Sequence, residues 1–230
     1  RFLNREPQPA PGAVRTQRYR AVDEGTGWQL YDMEVDPGQQ TDIAGEHPEL
    51  TARLAAEYEA WFRDVTRAGV SRLPIPVGHP EEDPVSLPAT QAWFEGGVAF
   101  EQGQGWANDW LTGWTSTDDR VWWELDVVAA GRYEVSLEYL CPEDEAGARV
   151  RLSVGEGEAT ATVPGAAIRE VPSPDRVPRK EVYEREWASL PLGSVELPSG
   201  RVRLTLEAFE NARGRVMDLM AVRLARRTVS

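Results

Sequence analysis

Between residues 106 and 126 the chain reads Trp-Ala-Asn-Asp-Trp-Leu-Thr-Gly-Trp-Thr-Ser-Thr-Asp-Asp-Arg-Val-Trp-Trp-Glu-Leu-Asp, placing five of its nine tryptophans in one stretch. Indole rings offer flat apolar faces on which pyranose rings stack, while neighbouring amides and carboxylates take the sugar hydroxyls. Trp106, Asn108, Asp109, Trp110, Trp114, Asp118 and Asp119 are therefore candidate carbohydrate contacts. The same rings serve equally well as the core of a β-sandwich, since Trp is often highly but seldom fully buried. The carboxylate pairs Glu124/Asp126 and Asp118/Asp119 also suggest acid–base hydrolysis. Glu124 and Asp126 share one face of a strand, but nothing in their setting raises a pKa or fixes a carboxylate separation, so that reading is set aside.

The elements that must carry these residues follow from periodicity. Residues 121–127 mix β-branched and aromatic types and predict a strand, whereas 106–120, rich in Asn, Gly, Thr, Ser and Asp, predict a loop with exposed or half-exposed rings. From about residue 93 onward short alternating segments recur between turn signals: 98–102, 121–127, 132–139, 148–154, 158–163, 193–197, 201–208 and 218–226. This is the pattern of an all-β sandwich. One stretch breaks it: residues 164–191 carry several prolines with Arg169, Arg176, Arg179, Lys180 and Arg185, the one locally basic segment of the chain. Loops of that length inside a domain are usually functional or disordered. Arg179 and Lys180 are candidate contacts to sulfate or carboxylate, against the plainer reading of a solvated loop.

Nearer the N-terminus, residues 1–13 are Pro-rich and extended, and 14–22 with 28–32 predict a β-hairpin. Pro48 opens a helix that runs to about residue 67, with Leu50, Leu54, Tyr58, Trp61, Phe62 and Val65 as one apolar stripe. A short hairpin is a small partner for such a stripe, which points to a further body of protein preceding residue 1. Asp32, Asp36 and Asp42 do not fit a calcium loop and are read as turn and cap residues. Residues 69–92, with five prolines, predict a semi-rigid linker. The expected organisation is 1–68 hairpin and helix, 69–92 linker, and 93–230 sandwich, a mainly β chain with one long helix.

Composition bounds the partners. The 230 residues carry a net charge of −13, which argues against nucleic acid, a ligand that calls for a basic face. No run approaches the roughly 18 apolar residues of a membrane span. The chain does not begin with Met and lacks a signal-peptide pattern at its start, so it reads as part of a longer or a processed polypeptide. Cys141 is the sole cysteine, so no intrachain disulfide forms, and His47 and His79 are too few for an imidazole metal site.

Two resemblances accompany this reading. The ordered run from Ala13-Val14-Arg15-Thr16-Gln17-Arg18-Tyr19-Arg20 through Trp28-Gln29-Leu30-Tyr31-Asp32-Met33-Glu34-Val35-Asp36-Pro37-Gly38 to His47-Pro48-Glu49-Leu50 and Trp61 resembles the C-terminal end of the sulfatase (arylsulfatase) family. There it forms the last hairpin and the closing helix of the catalytic body. The resemblance implies a parent sulfuric ester hydrolase whose formylglycine and catalytic calcium belong to an N-terminal catalytic domain outside this chain. Cys141-Pro142-Glu143-Asp144-Glu145 does not match that family's Cys/Ser-x-Pro/Ala-x-Arg motif, so the chain alone is expected to be inactive. Residues 93–226, notably Trp122–Val127, Gly131–Val135, Leu192–Leu197 and Met217–Leu224, resemble the galactose-binding-like jelly-roll sandwich of carbohydrate-binding modules. Modules of that kind often hold a structural calcium, for which Glu101, Asp126 and Asp218 are the candidate ligands. The implied function is binding of a carbohydrate, sulfated in particular, beside a sulfatase body; the alternative is a structural module packing on that body or an oligomer partner. A polysaccharide-sulfatase parent would place the chain in the periplasm or outside the cell.

Overall fold

The computed structural model describes residues 7–69, 73–103, 108–169, 171–172 and 184–227. The described residues divide into two compact units, 7–69 and 73–227.

In the smaller unit, β1 (Gly12–Arg15), β2 (Tyr19–Asp23) and β3 (Trp28–Asp32) form an antiparallel sheet in that order, followed by α1 (Pro48–Thr66). The expected first strand is split in two, because the Thr16 hydroxyl accepts the Tyr19 N–H at 2.9 Å and folds the chain back. Aspartates build the turns: Asp42 accepts the N–H groups of Leu30 and Ala44, Asp36 those of Gln40 and Thr41, and Asp32 that of Glu34. Arg18 donates to Asp32 Oδ2 at 2.6 Å, which holds that carboxyl below its ordinary pKa. Among the described residues of this unit, the buried hydrophobic ones are Ala21, Leu30 and Leu54. The stripe of α1 is met by the sheet as far as Tyr58, which packs edge-on against Trp28 of β3, and Trp61 stays 57% exposed.

The larger unit is the sandwich. One sheet runs β13 (Ala188–Leu197), β10 (Gly131–Leu140), β15 (Asp218–Arg226), β8 (Leu111–Thr112), β7 (Ala99–Phe100), with β5 (Val85–Pro88) also paired to β15. The other runs β12 (Gly157–Thr162), β11 (Arg149–Val154), β14 (Gly200–Glu210), β9 (Arg120–Val127), β4 (Ile75–Val77), with β6 (Trp93–Glu95) also on β9. All pairings are antiparallel except β4 with β9. Alternation supplies the core: Val121, Trp123, Leu125 and Val127 of β9 face inward, as do Leu204, Leu206 and Ala208 of β14 and Tyr133, Val135, Leu137 and Tyr139 of β10. Two of the large polar rings find acceptors: Trp123 Nε1 donates to the Pro88 carbonyl at 3.1 Å and the Tyr133 hydroxyl to that of Ala129 at 2.6 Å.

The stretch read as a linker instead contributes β4 and β5. Pro76 of β4 and Pro88 of β5 sit where edge strands tolerate them, while Val77, Val85 and Leu87 turn into the core.

Candidate functional site at the loop end of the sandwich

The two ends of the sandwich differ. At one end β9 joins β10, β11 joins β12 and β13 joins β14 through only two or three residues each. At the other end lie the segments 113–119, 141–148 and 211–217, which enter β9, β11 and β15, and the described residues 184–187, which enter β13. Long loops on a rigid sheet scaffold are where binding residues gather.

The described parts of these loops are bonded to one another. Asn211 Nδ2 donates to the Thr115 carbonyl at 2.8 Å, Arg213 to the Asp144 carbonyl at 3.1 Å, and Val216 N–H to the Trp114 carbonyl at 2.9 Å. Arg215 bridges Glu145 at 3.4 Å and Asp218 at 2.7 Å. Cys141 pairs with Ala166 as an isolated bridge. Burial pushes the Cys141 thiol pKa up, so it is a packed, protonated side chain and not a nucleophile.

The tryptophans of the opening stretch are mostly interior, contrary to the expected half-exposed loop. Trp110 and Trp114 are each 1% exposed, and their indole N–H groups have no partner among the described residues. On Trp110, Trp187 packs edge-on with ring centroids 5.5 Å apart, and the Arg185 guanidinium lies 4.3 Å from its ring centre. The face that a sugar would use is thus taken by the protein's own cation. Trp123 is core, and Trp122 lies on the outer face under Arg203. Trp106, Arg179 and Lys180 lie outside the described residues.

The loop carboxylates divide by role. Asp119, 2% exposed, accepts the N–H groups of Gly97, Thr115 and Ser116, and so ties two loops to each other. Asp109 likewise accepts from Gln102 and Trp110, and burial raises its pKa above the ordinary carboxylate value despite those bonds. Neither is free to take a sugar hydroxyl. Asn108 and Asp118 are exposed.

The residues nominated for calcium do not converge. Asp218 is buried between Thr112, Arg215 at 2.7 Å and Arg185 at 3.6 Å, a cationic setting that repels a metal ion. Asp126 lies opposite Arg201 in the β9–β14 register, near the tight-turn end and about 20 Å along β9 from its loop end. Glu101 is exposed. Among the described residues no three or more His, Cys, Asp or Glu side chains are grouped to hold a cation. Glu124, considered for hydrolysis, is ion-paired with Arg203 at 2.6 Å.

What sequence reasoning missed at this end is Trp187. It is half-buried, stands beside β13 and is flanked by Arg185. A tryptophan inside the one basic, Pro-rich stretch was the available signal.

No family model and no curated protein matches this sequence. Among solved structures, the chain is similar to a Podospora anserina GH26-CBM35 β-(1,4)-mannanase, at 16% identity and TM-score 0.47 over 65% of this chain and 29% of that one. The Cry4Aa mosquito-larvicidal toxin of Bacillus thuringiensis aligns at 12% identity and TM-score 0.48, over 64% and 24% of the two chains. A CBM35 from Cellvibrio japonicus Abf62 aligns at 16% identity and TM-score 0.44, over 64% and 96%. The chain thus spans less than a third of the mannanase and toxin chains it matches.

Proposed function

We propose that this chain is a carbohydrate-binding part of a larger polypeptide, with the loop end of its sandwich as the binding surface. The observation that carries the reading is the asymmetry of the sandwich. The described parts of the loops at one end are bonded to one another and carry the half-exposed Trp187 with Arg185 and Arg213, while the other end is closed by turns. An indole edge beside charged and amide donors recognises a sugar by stacking one face and bonding its rim. On this reading Trp187, Asn211 and Arg213 meet the ligand, with Asn108 and Asp118 as exposed neighbours in sequence, and Asp109, Asp119, Trp110 and Trp114 hold the loops in place.

The finer reading is that the parent is a sulfatase-type sulfuric ester hydrolase and the carbohydrate a sulfated glycan, held near a catalytic domain that precedes this chain. The ordered sequence run of residues 13–67 supports it, together with the sheet-and-helix unit formed there. Tethering a weak binding site to an enzyme raises the local substrate concentration without new chemistry. A periplasmic or extracellular location goes with that parent.

A second reading, a structural module, draws on one observation in the smaller unit: Trp61 and Val65 of α1 are 57% and 50% exposed. The test between the two readings is tryptophan fluorescence of the chain titrated with neutral and sulfated oligosaccharides. Saturable change that Trp187→Ala removes supports binding at the loop end, and no response across the panel favours the structural reading.

A further inference from the structure

On the outer face of the β13-β10-β15 sheet, away from the loops, lies a trough of about 540 Å³. Its shape follows from residue sizes and register. Opposite Val135 and Ser136 the strand β13 carries an extra residue, so Gly193 pairs with Val135 and Pro191 with Ser136. This bulge leaves a floor of Ser136, Gly193 and Ala225, residues too small to fill the space between their taller neighbours.

The rim is cationic. Arg132, Arg223 and Arg227 line the trough, and each is anchored through Nε: to Ser194 Oγ at 2.7 Å, to Glu138 at 2.7 Å and to Glu134 at 2.8 Å. Anchoring by Nε fixes each guanidinium plane and leaves Nη donors for a ligand. Arg132 forms no ion pair among the described residues, so its charge is not neutralised within the sheet. Ser136 and Ser189 add hydroxyls that make no side-chain hydrogen bond among the described residues.

We infer that this trough is a second binding site, for a saccharide bearing an oxyanion: a sulfate ester or a carboxylate. Guanidinium pairs with oxyanion geometry through two N–H donors, and the serine hydroxyls with Glu134 suit the sugar hydroxyls beside it. The charge is local in a chain of net −13, so a short ligand fits the site better than a long polyanion, which the remaining surface repels. That the ligand is a saccharide rests on the function proposed above; that it is anionic rests on the three arginines.

The experiment is calorimetric titration of the full chain with a neutral dextran oligosaccharide, dextran sulfate of the same length, an oligogalacturonate and inorganic sulfate. Amide chemical shifts are followed alongside. The expected result is tighter binding of the sulfated or carboxylated sugar than of the neutral one, with shifts at Ser136, Gly193 and Ala225. Arg132→Gln with Arg223→Gln then weakens the anionic ligand at least tenfold, while Arg201→Gln with Arg203→Gln, the same charge removed from the opposite sheet, leaves it unchanged. The two anionic sugars distinguish sulfate from carboxylate. An anion preference that survives the double variant overturns the proposal, as do shifts confined to the loop end. Inorganic sulfate competing as well as the sulfated sugar overturns the saccharide assignment. Loss of neutral-sugar binding on Trp187→Ala reports separately on the loop end, so the failure of either site is recognised by itself.

Discussion

Aspartate is the residue type whose role changes most between sequence and structure. In a Trp-rich polar loop, Asp109 and Asp119 carry the right chemistry for sugar hydroxyls, yet their oxygens are taken by backbone N–H groups. Short polar side chains compete for backbone donors wherever strands end, and a buried donor left unpaired costs about 1–3 kcal/mol. Asp109 makes this testable by pH. Burial raises its folded-state pKa above the unfolded value, so its contribution to stability is full below the ordinary Asp value and is lost as pH rises through the folded value. Asp109→Asn keeps an acceptor oxygen and removes the buried charge. The variant should therefore gain on the wild type as pH rises from about 4 to neutrality, read as denaturant midpoints at each pH.

Strands were legible wherever alternation was clean. Tyr133-Glu134-Val135-Ser136-Leu137-Glu138-Tyr139 alternates in sequence and in burial. Trp122-Trp123 shows the limit of that reading: adjacent residues of one type, assigned by pleat to opposite faces. Trp123→Ala should cost about 3–5 kcal/mol by leaving a cavity in the core. Trp122→Ala, losing only an outer ring and its Arg203 contact, should cost much less. Equilibrium unfolding of the two variants measures the contrast. Prolines misled the reading of 69–92, because the linker signal of Pro76, Pro84 and Pro88 outweighed the short Val85-Ser86-Leu87 alternation that makes β5 an edge strand. Trp110 was illegible for another reason. Its cover comes from Arg185 and Trp187, more than seventy residues on, and local sequence carries no signal of so distant a contact.

The described residues form two hydrophobic cores of unequal size. That of the sandwich spans both sheets, while that of the smaller unit rests on Ala21, Leu30 and Leu54. Units below about 70 residues seldom gain more than 3–5 kcal/mol from a core. Calorimetry should accordingly resolve two transitions, with the smaller unit melting first; one sharp transition would show that the units unfold as one. Of the proposed function, the tryptophans made carbohydrate chemistry a candidate, but which rings face solvent depended on packing across the loops.

The measurement that bears most directly on the central claim is the fluorescence titration of the intact chain with neutral and sulfated oligosaccharides, repeated with Trp187→Ala. The account predicts saturable binding by the wild type and its loss in a variant that keeps the wild-type circular dichroism. Equal binding by both proteins, or none by either, would contradict a sugar site at the loop end.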